Sequence, residues 1–155
     1  MEKLVSYLIE NKLKIATAES CTGGLLASRL TDIAGVSEVF EMGIVSYSNR
    51  IKNEFLGVKG EDLEKYGAVS EAVAKEMSKG VAEKASADIG VGITGIAGPG
   101  GGTIEKPVGT VWLSFYFAKT GENPAYLLSL SGSRAEIRNK TCDEAVRSLK
   151  DRFGI

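Results

Sequence analysis

Apolar residues recur along this chain at two spacings, and the alternation between them predicts its elements. Leu4, Val5, Leu8, Ile9 and Leu13 stand at helical intervals, so the first dozen residues form an amphipathic helix. Lys14–Glu19 is a short strand candidate. Thr22-Gly23-Gly24 then leads into a second helix carrying Leu25, Leu26, Leu30 and Ile33, with Thr22 as its expected N-cap. Val39–Tyr47 reads as a strand, and Ser48 or Asn49 caps a short helix through Leu56 that Gly57 ends. A connector over Gly60–Tyr66 precedes a longer helix capped by Ser70, with Val73, Met77, Val81 and Ala85 on its buried stripe. Ala87–Thr94 is apolar and short, as a fully buried strand is. The glycine- and proline-rich run Gly95–Gly102 is a loop. Val108–Ala118 and Ala125–Ser131 are two further strands, joined through Lys119–Pro124 as an antiparallel hairpin. Ser133-Arg134-Ala135-Glu136 is a capping box that opens a last helix, whose Ile137, Thr141, Ala145, Leu149 and Phe153 share a face.

Strands alternating with helices, then a hairpin, then a helix predict a three-layer α/β/α sandwich on a mixed, mostly parallel sheet. The 155 residues fit one domain, expected to span 1–155. That is enough chain to build a core without disulfides or metal. Trp112, Ser114 and Tyr116 alternate with Val111, Leu113, Phe115 and Phe117, so both faces of that strand are expected to be covered. No run reaches the roughly 18–20 apolar residues of a membrane span, and the early acid at Glu2 is unlike a secretory signal. Cys21 and Cys142 are far apart and outside any C-x-x-C spacing, so reduced thiols in a cytoplasmic protein are expected. Asn139-Lys140-Thr141 is then a chance match to a glycosylation sequon.

Charge changes the picture little: 19 basic residues meet 20 acidic ones, which argues against a nucleic-acid partner. The absence of histidine changes it more. It excludes Ser–His–Asp and Cys–His mechanisms and every His-ligated metal site. Any hydrolytic chemistry must draw its base from elsewhere.

Ser20, Tyr47 and Thr94 fall where the first three predicted strands end, and in open α/β sheets ligands bind beyond the carboxyl ends of strands. Ser20 is the strongest candidate. It lies between a strand and a helix start and is followed by Cys21-Thr22-Gly23-Gly24, whose backbone N–H groups could hold a phosphate or an oxyanion. The plainer reading is that Thr22 caps the helix and the glycines fill a tight turn. A serine nucleophile without histidine can use a lysine of lowered pKa. Lys52 qualifies, because it falls in the first turn of its helix, where the dipole disfavours a cation. Against this, most helical lysines are solvated surface residues. Tyr47 could relay a proton or hold Lys52, or be a packing residue. Cys21 is the rival nucleophile and would depend on the helix terminus to form a thiolate.

Gly90-Val91-Gly92-Ile93-Thr94-Gly95 spells G-x-G-x-x-G, but it lies within a strand and opens no helix, so a dinucleotide site is not expected. The Gly98–Gly102 loop lacks a P-loop ending and reads as a lid or an anion nest. Arg134 and Arg138 sit at the start of the last helix against the dipole preference, which a phosphate ligand explains and solvated or ion-paired side chains equally allow.

Five segments carry a family resemblance, in order and over essentially the whole chain. They are Thr17-Ala18-Glu19-Ser20-Cys21-Thr22-Gly23-Gly24; Tyr47-Ser48-Asn49 followed by Lys52; Gly67-Ala68-Val69-Ser70; Thr94-Gly95-Ile96-Ala97-Gly98-Pro99; and Lys106-Pro107-Val108-Gly109-Thr110-Val111. Together they resemble the CinA C-terminal domain family, which includes amidases that convert nicotinamide mononucleotide to nicotinate mononucleotide and ammonia in pyridine-nucleotide salvage. The resemblance implies Ser20 as nucleophile, Lys52 as its base and Tyr47 as assistant. In the amidase reading the substrate-binding set is Cys21, Thr22, Gly23, Gly24, Thr94, Gly98, Gly100, Arg134 and Arg138, with the oxyanion expected on the amides after Ser20 and the ribose and phosphate on Thr94, the Gly98–Gly102 loop and the two arginines. No metal or organic cofactor is expected, no nucleic-acid or membrane partner, and a homo-oligomer, a homodimer by resemblance. Longer relatives carry an N-terminal molybdopterin-binding-like domain, for which this length has no room. The alternative function is a non-catalytic mononucleotide-binding module acting as a sensor or subunit, with Lys52 an ordinary cation.

Overall fold

In the computed structural model, which describes residues 1–155, five strands form one sheet in the order β2-β1-β3-β4-β5. They are β1 Ile15–Glu19, β2 Phe40–Val45, β3 Ile89–Gly95, β4 Thr110–Phe117 and β5 Ala125–Ser129. β1 pairs in parallel with β2 and β3, while β3–β4 and β4–β5 are antiparallel, so β4 alone runs against the rest. The helices are α1 Glu2–Asn11, α2 Leu25–Thr31, α3 Asn49–Leu56, α4 Gly60–Tyr66, α5 Glu71–Ala85 and α6 Arg134–Phe153. The caps expected at Ser48 and Ser70 and the capping box of Ser133 and Glu136 are all formed.

Two local expectations fail. Gly60–Tyr66 is a helix and not a connector; Glu61 and Asp62 in its first turn and Lys65 in its last suit the dipole, though none of its residues is buried. Thr22 does not cap α2. Gly24, at φ +89°, holds the N-cap position, and the carboxylate of Glu19 takes the capping role. Its Oε2 accepts from the N–H of Gly24 and of Leu26, both at 3.1 Å, and Oε1 accepts from the N–H of Ala27 at 2.8 Å. A carboxylate among orphan helix amides satisfies them and complements the dipole together.

Side chains alternate across a strand, and the two faces of this sheet differ in bulk. One face presents Ile15, Ile89, Val91, Ile93, Val111, Leu113 and Phe115 to Leu4, Val5 and Leu8 of α1, Leu26 and Leu30 of α2, and Ile137, Ala145 and Leu149 of α6. The other presents small residues, Ala16 and Ala18, to Val73, Met77 and Val81 of α5 and Leu56 of α3. On that second face α5 comes down onto bare backbone. A Cβ on Gly90 would lie 1.9 Å from the Ser78 carbonyl oxygen, and one on Gly92 2.4 Å from that of Ala74. The G-x-G-x-x-G run is therefore a contact between sheet and helix. Gly80 on α5 does the same for α3, where a Cβ would lie 1.9 Å from the Leu56 carbonyl oxygen. Along β4, Ser114 is buried on the α5 side, while Trp112 and Tyr116 are half-buried. No helix is long and apolar enough to cross a membrane.

Gly90→Ala forces helix from sheet and is expected to lower unfolding free energy by about 1–3 kcal/mol or more, read by urea denaturation. Gly100→Ala, with no atom within 4 Å of the added carbon, is the control and should leave the midpoint nearly unmoved.

Candidate active site

The parallel arrangement of β1, β2 and β3 brings their carboxyl ends to one edge of the sheet, and the residues that follow them meet there. Ser20, just after β1, is held by its own N–H, which donates to the Ile93 carbonyl at 2.9 Å. Lys52 projects from α3 toward it. Leu56, one turn on, is buried against α5, and the Gly80 contact sets how near α3 lies. Only 1% of Lys52 is exposed, and its Nζ lies 3.1 Å from Ser20 Oγ and 2.7 Å from the Ser46 carbonyl oxygen. Those two oxygens are its only partners, and neither is a carboxylate.

Burial without a counter-ion disfavours the ammonium, so Lys52 is pushed below the ordinary lysine range, opposed by the nearby Cys21. A neutral amine offers a lone pair. With one Lys52 N–H donated to the Ser46 carbonyl, that lone pair can receive the Ser20 hydroxyl proton. The fold thus brings Ser20 and Lys52 to hydrogen-bond distance, in surroundings that disfavour the ammonium.

Burial acts on Cys21 in the opposite sense and lifts its thiol to about 11, against the pull of its own backbone N–H and of Lys52 and Arg134. The thiol stays protonated near neutrality, which removes Cys21 as a thiolate nucleophile. Cys142, buried in α6, is lifted to about 12 by burial, and both cysteines are free.

Of the four residues after Ser20, two have amides already engaged: Gly23 N–H donates to the Ser20 carbonyl at 3.0 Å, and Gly24 N–H to Glu19. The N–H groups of Cys21 and Thr22 donate to no other residue. The oxyanion donors expected over Cys21–Gly24 reduce to these two.

Ser20 and Lys52 open onto a cavity of about 280 Å³, also lined by Cys21, Tyr47, Asn49, Ala68, Val69, Thr94, Gly98, Gly100 and Arg134. Thr94 is buried, and its hydroxyl donates to the Ala68 carbonyl at 2.8 Å, so it fixes the segment before α5 as one wall. Arg134, the first residue of α6, spans the mouth. Its Nη1 donates to the Gly98 carbonyl at 2.6 Å and its Nη2 to the Tyr47 hydroxyl at 3.0 Å, and it has no carboxylate partner. Tyr47 therefore meets Arg134 and not Lys52, and it is 61% exposed. Arg138 donates to the Thr22 carbonyl at 2.8 Å; it, Thr22, Gly23 and Gly24 stand outside the cavity lining. A larger cleft of about 370 Å³ between β4, β5 and α6 contains Phe115, Phe117 and Arg152 but no nucleophile beside a base.

Two contributors were missed by reading residues. Glu19 had a signal, a lone carboxylate ending an apolar strand just before a glycine pair. The Ser46 carbonyl had none, because a backbone acceptor leaves no mark in the side-chain pattern.

The family profile of the CinA C-terminal domain matches residues 1–153. A CinA-like protein of Akkermansia muciniphila is 49% identical over 148 residues, which cover 96% of this chain and 36% of that protein. The chain thus spans about a third of the length of the curated relatives it matches. Among solved structures, the competence/damage inducible protein CihA of Agrobacterium tumefaciens superposes with a TM-score of 0.90 at 42% identity, covering 96% of this chain and 92% of that one. A CinA superfamily protein of Klebsiella pneumoniae superposes with a TM-score of 0.94 at 34% identity, covering 99% and 94%. The chain belongs to the CinA C-terminal domain family.

Proposed function

We propose that this protein is an amidohydrolase that converts nicotinamide mononucleotide to nicotinate mononucleotide and ammonia. The observation that carries the reading is the hydroxyl of Ser20 lying 3.1 Å from a lysine amine buried without a counter-ion. A solvated surface lysine in a binding module would have no reason to sit there. The family resemblance supplies the substrate class. The unpaired guanidinium of Arg134 at the cavity mouth suits the anionic phosphate.

Neutral Lys52 takes the Ser20 proton as Oγ forms a bond to the carboxamide carbon. The negative charge on the former carbonyl oxygen is met by the N–H group of Cys21, which lines the cavity. Lys52 returns its proton to the amide nitrogen, the C–N bond breaks, and ammonia leaves an ester on Ser20. Water then gives a proton to Lys52 and attacks that ester. The tetrahedral adduct breaks to the carboxylic acid, and Lys52 hands the proton back to Ser20. Throughout, the Ser46 carbonyl holds one Lys52 N–H and so aims the remaining position at Ser20. Tyr47 holds Arg134 across the cavity mouth and touches neither member of the pair.

Ser20→Ala is expected to abolish ammonia release from nicotinamide mononucleotide. Lys52→Met should lower turnover about 10²–10⁴-fold, the usual contribution of a positioned base. Binding of the nucleotide without any ammonia release by the unmodified chain would instead establish the mononucleotide-binding module. The pH profile carries a sign. The working form of Lys52 is unprotonated and burial depresses its pKa, so kcat/KM should rise with pH through a midpoint below the ordinary lysine value of about 10.4. Cys21→Ala should retain most activity, and Cys21 in the unmodified chain should alkylate slowly at neutral pH, followed by mass spectrometry.

A further inference from the structure

Two buried side-chain oxygens in this chain have no hydrogen-bond partner, Thr22 Oγ1 and Ser46 Oγ, and both belong to residues next to the Ser20–Lys52 pair. Buried hydroxyls almost always find a partner, so an orphan beside a proton-transferring group has to be explained. Ser46 is the more telling of the two. It is fully buried, its N–H donates to the Glu19 carbonyl at 2.8 Å, and its own carbonyl oxygen sits 2.7 Å from Lys52 Nζ. Its backbone is therefore fixed at both ends of the residue. Its hydroxyl is placed by a single torsion about Cα–Cβ, with three staggered positions.

A neutral lysine has two N–H groups and one lone pair, whereas the ammonium has three N–H groups and no lone pair. Two partners suffice for the neutral form: the Ser46 carbonyl takes one N–H at 2.7 Å, and Ser20 Oγ, 3.1 Å away, can turn its own proton toward the lone pair. Once the Ser20 proton has moved to Nζ, one N–H still faces the Ser46 carbonyl and one faces the reacting atoms. The third needs an acceptor. The charged and titratable groups around Lys52 do not offer one. The Glu19 carboxylate is taken by the amides of Gly24, Leu26 and Ala27; Tyr47 and Arg134 are bonded to each other; and the Cys21 sulfur is only a weak acceptor. On α5, which packs against α3, Glu76 is bonded to Lys59 and Glu71 to Lys75.

We infer that Ser46 is a positioning residue whose hydroxyl turns to accept the third N–H of the Lys52 ammonium, and so holds the proton between its removal from Ser20 and its delivery to the leaving nitrogen. The orphan oxygen is then a partner kept in reserve for the charged half of the cycle. The role rests on the amidase reading for its purpose, though not for its test, because it concerns the protonation equilibrium of Lys52 in the free protein.

The test is a titration of Lys52 followed by NMR in chain labelled with ¹³C at lysine Cε, its signal assigned by its loss in Lys52→Met. Ser46→Ala removes an acceptor from the ammonium only, so it should lower the Lys52 pKa by about one unit, a tenfold change. Ser46→Thr, which keeps the hydroxyl, should restore it. Because Oγ makes no bond in the resting protein, Ser46→Ala should melt no lower than the unmodified chain. In the amidase assay the acid limb of kcat/KM should move down in pH by the same amount. An unchanged or raised Lys52 pKa in Ser46→Ala, or a lowered melting temperature without a pKa change, overturns the assignment. If the unmodified chain releases no ammonia, the amidase reading fails while the titration still decides the role of Ser46.

Discussion

A lysine amine cannot be taken out of water as a cation unless something compensates it, and Lys52 is almost wholly buried with two neutral oxygens for company. The site follows from that constraint. Desolvation shifts the balance toward the unprotonated amine, an unprotonated amine is a base, and the hydroxyl it meets is that of Ser20. A histidine would arrive with a pKa already near neutrality, whereas a lysine must be brought there by its surroundings. The fold supplies those surroundings through helix packing. α5 lies directly on the glycine backbone of β3, and α3 lies directly on Gly80 of α5. These two close approaches stack α3 on α5 and α5 on the sheet, and Lys52 lies on α3.

A second charge is handled differently. Glu19 is as buried as Lys52 and only one residue from Ser20, yet it is compensated in full by three amides of the α2 terminus. The arrangement gives the helix a cap and removes the strongest local anion from competition for Lys52. It also engages the donors that an anion at that terminus would use, and leaves the earlier amides of Cys21 and Thr22 without a backbone partner. At the cavity mouth the guanidinium of Arg134 is tied only to the Gly98 carbonyl and the Tyr47 hydroxyl and meets no carboxylate.

Much of this was legible along the chain. Two spacings of apolar residues, 3.6 and 2, located the strands and the amphipathic helices within a residue or two of their ends, and Ser70 and Ser133 marked their helices by chemistry alone. α4 escaped because it buries nothing, and a helix without an apolar stripe has no period to read. Absence of histidine directed attention to Lys52, and strand ends directed it to Ser20, Tyr47 and Thr94. The partnerships were not legible. Tyr47 and Arg134 are 87 residues apart, and nothing local says that one meets the other rather than Lys52. Likewise, a carboxylate on β1 displacing Thr22 as a cap depends on the turn folding back over the strand.

A serine nucleophile would leave the acyl group on Ser20 between the two halves of the proposed hydrolysis. Acid-quenched mixtures with nicotinamide mononucleotide, digested and mapped by mass spectrometry, address it directly. An adduct of nicotinate mononucleotide as an ester on the peptide at Ser20 is the predicted result. The same adduct on Cys21, with Ser20 unmodified, would contradict it.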